Sequence, residues 1–330
     1  MFTDSIISGF NECLAMASHH GTPTATSTSS STPSVQLFRD FVTINRLPET
    51  IGYNLAYLGV GVGLATTSRG LTSLGSNWDL LLVGFLAAML SKMQASVADV
   101  IHDRDLDREN PEKSRIPDAL DRLSIKGSMT ILAAELIGGM SLWGWISVSM
   151  HAPVYLGFGA ATCLLGFVYT YPPRIKERGL FNHLTTTAVD VGYVAVFFFI
   201  AGGSIVGGQE IAVLAVVFLY AFGYHVAHQA ADTYYDRIYG ISTFTQMLGV
   251  RRSVLFAGVS TALAALINIY YGLFLAGGML LLFTLCYSYI ALRIRNTEPK
   301  VQSDRVSRWF SIGLWATVMN SSMVLDLALL

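Results

Sequence analysis

Apolar stretches about 20 residues long recur along this chain, and each could cross the roughly 30 Å hydrocarbon core of a bilayer as a helix. Nine can be read, at roughly 50–67, 78–97, 127–149, 153–170, 184–206, 211–231, 253–271, 273–292 and 309–328. In lipid every backbone polar group must be paired internally, so such runs predict helices. The charge content agrees. Only 13% of the 330 residues are charged and 52% are hydrophobic, where a soluble protein carries roughly 25% charged residues. The expected fold class is an all-α membrane protein with nine transmembrane helices, in contact with membrane lipid.

The distribution of basic residues orients the spans. With nine crossings, every one of the 21 Lys and Arg except Arg69 and Lys92 falls with the N-terminus and the even-numbered loops. Positive charge is retained on the cytosolic side, so the N-terminus and these loops are expected in the cytosol. The net charge of −1 provides no basic field, and nucleic acid is not an expected partner. Cys13, Cys163 and Cys286 have no metal-ligand spacing and read as buried thiols. Residues 1–36 read as an N-terminal tail, disordered through the Ser/Thr-rich stretch Thr22–Ser34, with no signal peptide expected. Residues 37–48 read as a short surface helix, and 37–330 as one membrane domain.

Two acidic clusters lie on the basic side. After the second span come Asp99, Asp103 and Asp107, spaced by four, a spacing that puts all three carboxylates on one helix face. After the sixth span come Asp232 and Asp236, a second pair at the same spacing. Like charges at this spacing repel. Either cluster alone could be a solvated helix end paired with Arg104, Arg108 or Arg237. Two clusters at one membrane surface favour the other explanation, a shared cation. Carboxylates suit hard cations, and Mg²⁺ typically binds one or two of them together with substrate phosphate oxygens. The five aspartates are therefore candidate ligands that would hold a diphosphate through Mg²⁺.

At these residues the chain resembles the UbiA superfamily of intramembrane prenyltransferases. That family carries Asn-Asp-x-x-Asp-x-x-x-Asp after its second helix, and Asp-x-x-x-Asp followed by Gly-x-x-Thr after its sixth. The second motif stands here as Asp232, Asp236, Gly240 and Thr243. In the first, Asp99-Val100 replaces the leading Asn-Asp. Arg46 sits where the family often has an arginine, and Asn110-Pro111-x-Lys113-x-Arg115 resembles its basic segment. Tyr169-Thr-Tyr171-Pro-Pro-Arg174-Ile-Lys176 resembles the family's Tyr-x-x-x-Lys motif, with one residue more between Tyr171 and Lys176. The segment from Gly223 to Thr243 looks like the branch that prenylates polyenes.

The resemblance implies a UbiA-type bundle with a cytosolic mouth, Mg²⁺ as cofactor and a prenyl diphosphate as substrate. It assigns diphosphate binding to Arg46, Arg115 and Lys176, with Arg237 as a further candidate beside Asp236. The other basic residues on that side read as topology. Ionisable residues inside spans are candidates by default. Asp190 in span five could stabilise a carbocation or accept a proton, or it could be an interhelical contact. Glu135 in span three is a lesser candidate. Lys92 is expected to pair with a carboxylate. His225 and His228 could act as a base or position an acceptor. Three functions follow: prenyl transfer to a lipophilic acceptor, a terpene cyclase on the same scaffold, or a transporter or lipid-binding protein.

Overall fold

The computed structural model describes residues 33–69, 77–109, 113–205, 207–238 and 240–330. The chain divides after Gln36. Of the first unit only residues 33–36 are described, and they are helical. The stretch expected to be a disordered tail lies, up to residue 32, outside the described residues, as does Cys13.

The described residues form helices, in the order α1 (Pro33–Ile44), α2 (Leu47–Arg69), α3 (Trp78–His102), α4 (Arg104–Glu109), α5 (Arg115–Leu123), α6 (Ile125–Ser149), α7 (Val154–Thr170), α8 (Leu180–Ile200), α9 (Gly208–Ile238), α10 (Phe244–Leu248), α11 (Val250–Tyr270), α12 (Phe274–Arg293), α13 (Pro299–Trp309) and α14 (Ile312–Leu329). A 3₁₀ turn, Ile175–Glu177, lies between α7 and α8. A long helix coincides with each of the nine apolar runs. Seven of them (α3, α6, α8, α9, α11, α12 and α14) are long and apolar enough to cross a membrane. α7 is apolar but has 17 residues, and α2 dilutes its 23 with Glu49, Asn54 and Arg69.

Two helices run past their apolar cores. α3 continues to His102 and α9 to Ile238, so Asp99, Asp232 and Asp236 sit on helical turns and not in loops. The last apolar run is preceded by a separate polar helix, α13.

In the second unit, α9 packs against α8, α11, α13 and α14, α2 against α8 and α14, and α3 against α6 and α7. Small residues permit close approach. A Cβ at Gly61 would lie 2.6 Å from the Val194 carbonyl oxygen and 2.7 Å from Phe197 Cβ, so α2 meets the backbone of α8. The interior is filled by Tyr57, Trp143, Tyr193, Phe197, Phe198, Tyr220 and Tyr224, all fully buried. Outward positions such as Ile137, Leu164, Leu266 and Leu285 are exposed and apolar, a surface suited to lipid. Some buried polar groups close helix ends. Buried Asp326, for example, accepts hydrogen bonds from the Leu275 and Ala276 amides at 3.2 and 2.6 Å, at the start of α12.

α1 carries a buried acid and exposes Leu37 and Phe38. Arg122 of α5 donates two hydrogen bonds, 2.9 and 2.7 Å, to Asp40, which is 1% exposed. This fork holds α1 on α5. Cys163 and Cys286 are free thiols, the first buried and the second partly so.

Candidate active site

The first acidic cluster is ordered by its own backbone. The Asp103 amide donates to the Asp99 carbonyl at 2.8 Å, and the Asp107 amide to the Asp103 carbonyl at 2.8 Å. The i, i+4 register therefore survives the break between α3 and α4. The second cluster occupies the end of α9. Gly240 has φ of +69°, and the Ile241 amide reaches back to the Asp236 carbonyl at 2.9 Å. That closure needs a left-handed residue, which glycine adopts without a Cβ clash. The same turn leads into Thr243, buried and 3.2 Å from Thr245 Oγ1.

Asp99, Asp103, Asp107, Asp232 and Asp236 all line one cavity of about 160 Å³. Basic residues thread between them. Arg46 lies 3.4 Å from Asp99. Lys176 lies 3.6 Å from Asp99 and bonds Asp103 directly. Lys113 lies 3.1 Å from Asp232 and 4.0 Å from Asp107, so one ammonium joins the two clusters. Burial opposes charge on Lys113, yet Asp232 and Asp107 outweigh it and hold its pKa above the usual lysine value. Burial pushes the Asp107 carboxyl up to about 6 against the opposing effect of Lys113.

Arg46 and Lys176 of the expected diphosphate residues line this cavity, as does His228. Arg115 and Arg237 are exposed and are not among its lining residues. Two residues before Arg115, Lys113 takes the position that the sequence assigned to topology. The signal was the basic segment itself, in which sequence alone does not tell an inward lysine from an outward arginine. Arg104 and Arg108 pair with Asp121, not with the clusters. The cavity wall also includes Tyr169, Asn182, His183, Thr186 and Gln229, none singled out in the sequence as a site residue.

A second cavity of about 210 Å³ adjoins the first, with Tyr169, Thr186 and His225 lining both. Its walls are mostly apolar, including Ala95, Leu165, Gly166, Val189 and Tyr193, and it contains Lys92 and Asp190. Lys92 pairs with Asp190 at 3.0 Å, across two helices, not with Asp99. Its ammonium lies over the rings of Tyr53, Tyr57 and Tyr193, at 4.3, 4.6 and 4.9 Å from their centroids. Asp190 also accepts from Tyr224 Oη at 2.8 Å and pairs with His225 Nε2 at 2.8 Å. Glu135 is buried but lines neither cavity.

The carboxylate oxygens have the chemistry for a hard cation. Among the described residues no three His, Cys, Asp or Glu converge closely enough to cage an ion unaided.

Known proteins share this fold. No curated protein sequence matches the chain significantly. A UbiA homologue of Archaeoglobus fulgidus, solved with DMAPP and Mg²⁺, superposes with a TM-score of 0.62 at 16% identity, covering 88% of this chain and 100% of its own. A digeranylgeranylglyceryl phosphate synthase gives 0.59 at 15%, covering 89% and 100%. An apo UbiA homologue of Aeropyrum pernix K1 gives 0.57 at 18%, covering 84% and 96%. The family model of the UbiA prenyltransferase family matches residues 56–315, a span that contains both acidic clusters. The chain is an integral, multi-pass membrane protein and belongs to the UbiA prenyltransferase family.

Proposed function

We propose that the protein is a Mg²⁺-dependent intramembrane prenyltransferase that ionises a prenyl diphosphate and passes the prenyl cation to a lipophilic acceptor. The observation that carries this reading is the sharing of one ammonium, that of Lys113, by Asp107 and Asp232. It brings both acidic clusters within reach of a single diphosphate. The A. fulgidus relative binds DMAPP and Mg²⁺ in a similar fold.

Mg²⁺ held through Asp99, Asp103, Asp107, Asp232 and Asp236 would stabilise charge on the departing diphosphate. Arg46, Lys113 and Lys176 bind the diphosphate oxygens, exchanging carboxylate partners for phosphate ones. Lys176 thereby also stabilises the leaving group. His228, which is in the polar cavity near Asp232, positions substrate at the mouth. The apolar second cavity holds the prenyl chain away from water, which would quench the cation. Nine helices in residues 37–330 cross the bilayer in this reading, with the mouth facing the cytosol. The near-complete segregation of Lys and Arg supports that orientation.

A second reading, cyclisation without an acceptor, has one observation in its favour. The apolar chamber contains its own polar cluster, Lys92, Asp190 and His225, where a cyclic cation could be neutralised. The two are separated by giving purified protein C10 to C20 diphosphates with Mg²⁺, with and without candidate acceptors, and analysing the organic extract by mass spectrometry. Product that requires acceptor supports transfer. A cyclic hydrocarbon or alcohol formed from the diphosphate alone supports cyclisation.

A further inference from the structure

Resting on the prenyl-diphosphate reading, we propose that His225, oriented by Asp190, is the catalytic base that removes the proton left on the product cation. Departure of diphosphate with the C–O electron pair leaves an allylic cation. Attack by a double bond, of an acceptor or of the same chain, moves the positive charge to a new carbon. Neutrality then returns when a neighbouring C–H bond breaks. Its electron pair forms a C=C bond and the proton goes to a base. This step is shared by attack from an acceptor's double bond and by cyclisation that ends in a new C=C bond.

The base must reach carbon atoms in the apolar chamber, and His225 is placed to do so. It lines both cavities, at the junction between the acidic mouth and the apolar chamber. His228, one turn nearer Asp232, lines the polar cavity only.

Hydrogen bonding fixes the tautomer. His225 Nε2 lies 2.8 Å from Asp190 Oδ2, and a carboxylate only accepts, so Nε2 carries a hydrogen, and the neutral ring that acts as base has its lone pair on Nδ1. Asp190 is itself held from two further sides. Lys92 Nζ lies 3.0 Å from Oδ1, and Tyr224 Oη donates to Oδ2 at 2.8 Å, with Tyr57 Oη 2.7 Å beyond. A carboxylate fixed in this way both aligns a neutral imidazole and stabilises the imidazolium formed on proton uptake. The faces of Tyr53, Tyr57 and Tyr193 hold the Lys92 ammonium in place.

The test uses the full-length protein in lipid nanodiscs with geranylgeranyl diphosphate and Mg²⁺, with and without candidate acceptors, comparing wild type with His225→Gln and Asp190→Asn. Pyrophosphate release and organic products are measured in the same reaction. Only folded protein releases pyrophosphate, so product per pyrophosphate is unaffected by partial misfolding. In His225→Gln, the ratio of deprotonated product to water-captured alcohol, of the prenyl or of the product cation, should fall about 100-fold, the lower end of general-base contributions. Asp190→Asn should shift the ratio the same way by a smaller factor. An unchanged ratio overturns the proposal, and so does parallel loss of pyrophosphate release and product in a His225→Gln protein that melts like wild type. Wild-type protein that releases no pyrophosphate overturns the underlying reading and the proposal with it, a result distinct from a normal release with an unshifted ratio.

Discussion

Lys113 Nζ lies 3.1 Å from the Asp232 carboxylate, across 119 residues of sequence, and on its other side it is 4.0 Å from Asp107. It thus pins the segment after the first acidic cluster to the end of α9. In the proposed function the same ammonium would become available to a diphosphate once Asp232 turned to a metal ion.

Lys113→Met should raise KM for the prenyl diphosphate by about tenfold or more, since a charge-assisted contact is worth about 1.5–3 kcal/mol. Arg115→Met, which alters an exposed residue outside the cavity, should leave KM within about twofold. Steady-state kinetics on the two variants checks this. Equal effects would mean that the basic segment acts only through its overall charge.

Lys92→Met leaves buried Asp190 without its ammonium partner. Removing one member of a buried pair costs about 3–5 kcal/mol. The variant should melt well below wild type in detergent. Replacing both members, Lys92→Met with Asp190→Leu, should recover much of the loss. A differential-scanning fluorimetry series on the three proteins reads this out.

Gly240→Ala places a side chain at φ of +69°, where an L-residue costs about 1–2 kcal/mol. The bond from the Ile241 amide to the Asp236 carbonyl should weaken. Pyrophosphate release should then fall more than thermal stability does, because the turn fixes the second cluster and not the bundle. Asn at the same position, which tolerates left-handed backbone, should be milder. The comparison of activity with melting temperature for the two variants decides it.

Much of this arrangement was legible in the sequence because it is local. The i, i+4 spacing of Asp99, Asp103 and Asp107 determines a shared face through helical geometry alone, and each apolar run coincides with a long helix. Relationships set by packing were not legible. The Lys92–Asp190 pair joins α3 to α8 over 98 residues, and nothing in either segment names its partner. The choice of Lys113 over Arg115 depends on which way a short segment faces. The extra residue between Tyr171 and Lys176 is taken up by the 3₁₀ turn Ile175–Glu177, which follows a left-handed Arg174, and Lys176 still reaches Asp103. The span count is subtler still, because α2 mixes Glu49 and Asn54 into a helix that packs between α8 and α14.

The most direct test of two acidic clusters acting on one diphosphate is pyrophosphate release by purified protein given C10 to C20 prenyl diphosphates. Release should stop on chelation with EDTA, return on adding Mg²⁺, and fall at least about 100-fold in both Asp103→Asn and Asp232→Asn, as expected when transition-state charge stabilisation is lost. Release that persists in EDTA, or that survives either substitution unchanged, would contradict the account.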